Sequence, residues 1–190
     1  MKSLPAVWIL VVGVFVGVPA SEALPILTYQ AVLNGSQRVP PVATSATGLA
    51  IVTVDLGTDL LTLNVAWSDL AGDPPGAHIH CCADPTANGM QAINFPLFPA
   101  PISGTSIQIV DLSLASVYNP NFLMMHGGTA TQAKTDLLAG LAAAMAYVDI
   151  PNMPFPAGEI RGQLTAVPEP ATTVLLGTGL AGLVLRRRRR

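Results

Sequence analysis

Basic side chains are nearly missing from the body of this chain. Across residues 24–168 the cations are Arg38, Lys134 and Arg161, against nine carboxylates, which leaves that stretch with an excess of six negative charges. Such a surface has no basic stripe to neutralise phosphates, which argues against nucleic acid as a partner. It argues equally against simple attraction to an anionic polymer. Cysteine is scarce as well: the two present, Cys81 and Cys82, are adjacent, so no framework of disulfides staples the fold. About 145 residues between the two ends can bury one core without such help. The usual marks of catalysis are also missing. There is no Gly-x-Ser-x-Gly elbow, no phosphate loop, no His-Glu-x-x-His and no cluster of carboxylates around a histidine. The expectation is a protein that is not an enzyme.

What the chain does have lies first at its two ends. Lys2 is followed by an almost wholly apolar run over residues 7–18, then by Pro19-Ala20-Ser21-Glu22-Ala23, the small residues that a signal peptidase prefers. Residues 1–23 therefore read as a signal peptide cut after Ala23, with Ala20 as a competing site and an uncleaved anchor as the alternative. At the other end stand Pro168-Glu169-Pro170, an uncharged run over residues 171–185, and five cations, Arg186, Arg187, Arg188, Arg189 and Arg190. Positive side chains resist translocation, so this order reads as a membrane span held by charge on the cytoplasmic side. The run is short, but it reaches across if the arginines snorkel to the interface.

The order Pro-Glu-Pro, apolar span, arginine cluster resembles the PEP-CTERM sorting signal of Gram-negative bacteria. The resemblance implies that residues 167–190 are recognised by an exosortase, which removes the tail. The product would pass through an inner-membrane intermediate, with a transient C-terminal span, to the cell surface or extracellular matrix.

The body is patterned mostly with a period of two. Residues 27–34, 46–56, 60–70, 77–81, 106–112, 146–150 and 159–166 read as strands. In the third, Leu61, Leu63, Val65 and Trp67 share one face. Gly57-Thr58-Asp59 supplies a hairpin connection. Thr129 with Gln132 forms a capping-box pattern ahead of a helix over residues 135–145. Residues 84–103, with Pro85, Pro96, Pro99 and Pro101, read as an ordered loop or a weak edge. The expected fold over residues 27–166 is mostly β: an antiparallel two-sheet sandwich, Ig-like or a related Greek key, with one short helix.

Three segments of this body carry a second resemblance. They are Ala31-Val-Leu-Asn-Gly35 followed by Val39-Pro-Pro-Val-Ala43; Gly76-Ala-His-Ile-His80; and Ala146-Tyr-Val-Asp-Ile150 leading to Phe155-Pro-Ala-Gly-Glu-Ile-Arg-Gly-Gln-Leu164. In this order they resemble the CHRD domain, first described in chordin. The family commonly has a histidine after the Tyr-Val-Asn/Asp-Ile stretch, where this chain has Pro151. The resemblance implies interaction rather than catalysis. The leading expectation is an exported surface or matrix protein, binding or structural, whose partners are an extracellular polysaccharide or surface protein.

Two constellations of residues stand out independently of any family. Glu159 and Arg161, two apart on a strand, share a face and are expected to form a structural ion pair. His78-Ile79-His80-Cys81-Cys82 places His78, His80 and Cys82 on one side of a strand. Two imidazoles and a thiolate suit copper or zinc, with His126, or Met124 or Met125 for Cu(I), as the further ligand. This is the alternative reading: a copper- or zinc-binding exported protein, with redox chemistry open to it. Adjacent Cα atoms lie about 3.8 Å apart, closer than the usual disulfide range of roughly 4.4–6.8 Å. A vicinal disulfide between Cys81 and Cys82, metal ligation through Cys82, and pairing with another chain all remain open in an oxidising compartment.

Overall fold

A computed structural model describes residues 24–99 and 101–168. Residues 1–23, read above as a signal peptide, together with Glu169, Pro170, the apolar run and Arg186 to Arg190, lie outside the described residues. Among the described residues no helix is long and apolar enough to cross a membrane.

Nine strands form: β1 (Ile26–Asn34), β2 (Thr47–Asp55), β3 (Leu60–Ser68), β4 (Ala77–Cys81), β5 (Met90–Phe95), β6 (Gly104–Asp111), β7 (Tyr147–Ile150), β8 (Ile160–Gln163) and β9 (Thr165–Ala166). Two helices join them, α1 (Pro120–Met125) and α2 (Ala130–Ala142). The mostly-β expectation holds, but the strands do not divide into two sheets. Antiparallel pairing runs unbroken in the order β5-β4-β7-β8-β1-β2-β3-β6, with β9 added beside β1. The sheet curls until it is nearly closed, like a barrel. A period-two pattern marks one buried face per strand, and it reads the same for two facing sheets as for one curled sheet.

The gap between the outer strands is bridged by the chain that follows β5. There the Leu97 carbonyl accepts from Gln108 on β6 at 3.0 Å, and Phe98 stacks on Trp67 of β3 with ring centroids 4.4 Å apart. The segment read as an ordered loop or a weak edge, residues 84–103, holds β5, which is the edge strand at one end of the sheet. Pro85 precedes the β5 ladder and Pro96, Pro99 and Pro101 follow it, so none interrupts it. Inside the curl, Leu33, Val52, Val54, Leu61, Leu63, Val65, Ile79, Val148 and Ile160 are fully buried in one core.

Helix α2 closes part of that core with Ala133, Leu137, Gly140 and Leu141. It starts at Ala130, directly behind the Thr129 cap and five residues ahead of the expected stretch 135–145, with the Thr129 side chain accepting from the Gln132 N–H at 3.2 Å, and it ends at Ala142 rather than at residue 145. The second helix was not expected. Its start follows the same rules: Asn119 caps the Asn121 N–H at 2.9 Å and Pro120 occupies the first turn, where no N–H is needed.

Candidate functional site

The site arises where β4, β7 and β8 lie side by side. Their register sets His78 opposite Asp149 and Asp149 opposite Arg161, while His80 stands opposite Tyr147 and Tyr147 opposite Gln163. Alternation sends Ile79, Val148 and Ile160 into the core and turns this polar row to the other face. That face is covered in turn. Arg38 reaches over it from the segment after β1, next to the cis Val39–Pro40 bond, and Arg161 donates to the Pro85 and Ala87 carbonyls at 3.0 Å each. Asp149 is consequently 2% exposed, in a strand whose four residues are all buried.

A buried carboxylate requires partners. Arg38 Nη1 donates to Asp149 Oδ2 at 2.9 Å, a buried pair. The other oxygen, Oδ1, has His78 Nδ1 at 3.2 Å and His80 Nε2 at 3.4 Å, yet neither approach has hydrogen-bond geometry. Burial raises the pKa of Asp149, but the His78 and His80 imidazoles beside it outweigh that and lower the carboxyl to about 2. His80 is oriented from three sides. Its Nδ1 lies 2.9 Å from the Gly89 carbonyl, which can only accept, so Nδ1 carries the proton and Nε2 faces Asp149. Tyr147 stacks on the ring at 4.8 Å, nearly parallel, and the Arg161 guanidinium lies 3.5 Å over the opposite face of that phenol. Burial raises the Tyr147 pKa and lowers that of Arg161.

The row opens on a cleft of about 540 Å³, walled by Arg38, Pro40, Pro41, His80, Tyr147 and the residues 154–158. His78 faces a second hollow of about 430 Å³, with Pro74, Pro75, Pro151 and Met153. Gly158 makes the first cleft feasible. It has φ +114°, and a Cβ there would lie 2.6 Å from the Arg38 guanidinium carbon and 2.7 Å from Asp149 Oδ2.

The sequence-derived ligand set is only half assembled. His78 and His80 converge as expected, but Cys82 does not join them. It lies beyond the end of β4, turns at φ 74°, and is bonded to Cys81 in a vicinal disulfide. The strand alternation on which its placement relied stops one residue too soon. Helix α2 rests on this bridge, and a Cβ on Gly140 would collide with Cys81 Sγ. His126 stands at the end of α1, its Nδ1 2.8 Å from Asp136 Oδ2 and its ring stacked on Phe122 at 4.0 Å. Met124 and Met125 are exposed.

The expected Glu159–Arg161 pair does not form either. Glu159 precedes β8, where the backbone has not begun to alternate. Its carboxylate accepts instead from Asn152, Thr44 and, at 2.9 Å, the Ala71 N–H. Arg161 is spent on carbonyls, on Gln163 and on Tyr147. Three residues that matter were missed: Asp149, Arg38 and Tyr147. Asp149 did carry a signal, as the one charge in an otherwise uncharged strand, and Arg38 as one of three cations in the body.

Comparison with known families gives two matches. The family model of the CHRD domain covers residues 29–164, and that of the PEP-CTERM protein-sorting motif covers residues 166–190. No curated protein and no solved structure matches.

Proposed function

We propose that this chain, which belongs to the CHRD domain family and ends in a PEP-CTERM protein-sorting motif, is an exported binding or structural protein of the cell surface or extracellular matrix, without catalytic activity. The carrying observation is the presence of both matches in one chain, the sorting motif directly behind the folded domain. Signal peptidase would release the N-terminus. An exosortase would act at Pro168-Glu169-Pro170 while the apolar run and Arg186 to Arg190 pause in the inner membrane.

The cleft beside Tyr147 supports binding over catalysis. Its walls combine proline, aromatic and small apolar residues with a few oriented polar groups, the composition of a ligand site. The carboxylate that lines it, Asp149, is locked to Arg38 and held at about 2, so it is a poor general base. An extracellular polysaccharide or a surface protein fits this setting. The acidic body makes direct capture of an anionic polymer unfavourable, so a neutral glycan or a protein face is the better match.

Fractionation of the host, with detection of both ends of the protein, tests the reading. The folded domain is expected in the surface or matrix fraction without the arginine tail, and deletion of residues 168–190 is expected to abolish that placement. Full-length protein in the cytosol would overturn it. A second reading, a copper- or zinc-binding exported protein, is favoured by one observation, the convergence of His78 and His80 on Asp149.

A further inference from the structure

We propose that His78, His80 and Asp149 form a mononuclear site for zinc or copper(II), with a coordination position open to the cleft beside Tyr147. The ligand set replaces Cys82 and His126 by a buried carboxylate. Three ligand atoms, one from each residue, lie within 4.8 Å of one another. The distances from Asp149 Oδ1 to the two ring nitrogens, 3.2 and 3.4 Å, match the edge of a tetrahedron built on metal–ligand bonds of roughly 2.0–2.1 Å, which is about 3.3–3.4 Å.

The lone pairs call for a cation. Asp149 Oδ1 and His80 Nε2 are both buried and without a hydrogen-bond partner. With Nδ1 directed at the Gly89 carbonyl, Nε2 faces Oδ1 at 3.4 Å, and in the neutral ring the two stand as a pair of acceptors. Two buried acceptors in contact repel, and a bound metal ion turns that repulsion into ligation.

The surroundings are those of a supported site. The Gly89 carbonyl fixes the His80 tautomer, Tyr147 fixes the ring plane, and Arg38 holds the other carboxylate oxygen, so each ligand is oriented by a neighbour. Two imidazoles and a carboxylate suit zinc or copper(II), and three protein ligands leave a position for a water or a ligand group. His78 is partly exposed toward the second hollow, which provides an entry path.

The inference concerns the folded domain and stands whether or not the tail is sorted as proposed, so the two can fail separately. The test is calorimetric titration of zinc sulfate, and separately of copper(II) with glycine as competitor, into protein from the exported fraction stripped by chelator. One ion per chain is expected, and His78→Ala and His80→Ala should each reduce binding below detection. Arg38→Met, which removes the partner of Asp149 Oδ2 and the bond to the Ala157 carbonyl, should weaken binding by about 10- to 100-fold in protein that keeps its thermal transition. Asp149→Asn can disturb folding because it also frees Arg38, so the two histidine variants carry the decision, each checked for a retained thermal transition. His126→Ala should leave binding unchanged. X-ray absorption of the loaded protein should show nitrogen and oxygen neighbours at about 2.0–2.1 Å and no sulfur near 2.3 Å. Absence of binding for both ions, affinity unaffected by His80→Ala, dependence on His126, or a sulfur shell would each overturn the site.

Discussion

At the scale of single residues, the buried charges of β7 and β8 are met by groups far away in the chain, Asp149 by Arg38 and Arg161 by the Pro85 and Ala87 carbonyls. Glu159 and Arg161 are two apart, and a continuous strand would have put them side by side. β8 starts at Ile160, so Glu159 points elsewhere and is met by Asn152, Thr44 and Ala71. The pairing that does form, Arg38 with Asp149, spans 111 positions of chain, and no local rule reaches that far. Gly158 shows how tightly this pairing is built. Gly158→Ala must force an L-residue to φ +114° and push a methyl group into both members of the ion pair. The expected loss is on the order of 1–3 kcal/mol of stability, read as a lowered urea midpoint with an unchanged slope.

At the scale of elements, caps and alternation carried most of the information. The Thr129 cap announced α2 because its geometry is local, a side-chain oxygen on an N–H three residues away. Thr129→Ala should cost about 1 kcal/mol, visible as a lower thermal midpoint, while Thr131→Ala, whose residue does not cap the helix start, should change little. Asn119-Pro120 obeys the same rule and escaped notice because α1 has only six residues, too few to show a helical period. β5 was legible only as one of two readings. Its strand lies between proline-bearing stretches, which fit an ordered loop as well as the edge strand that it forms beside β4.

For the whole molecule, burial of the phenols sets the response to alkali. The Tyr118 hydroxyl donates to the Leu112 carbonyl at 2.9 Å inside the core. Burial first, then the negative charges of Asp59 and Asp111, push its pKa well above the ordinary range, and burial raises Tyr29 as well. The unfolded chain gives up these protons near pH 10, whereas the folded chain keeps them. Below pH 10 both states are protonated and the contribution is constant. As pH rises above about 10 the unfolded state binds fewer protons than the folded one, so stability falls. Absorbance at a phenolate wavelength should therefore rise together with the loss of tertiary structure, in one step. Tyrosines that ionise smoothly ahead of unfolding would contradict this.

The sequence by itself determined the mostly-β class, the buried face of β3, the start of α2, the sorting motif behind the domain, and the convergence of His78 with His80. Each rests on residues within a few positions of one another, where backbone periodicity dictates geometry. Only the tertiary structure decided that the strands share one curled sheet, that Cys82 turns away to bond Cys81, and that Asp149, not Cys82 or His126, stands opposite the two imidazoles. Those outcomes depend on which strands become neighbours and in what register, and a period-two pattern is the same for every register that keeps the core side inward.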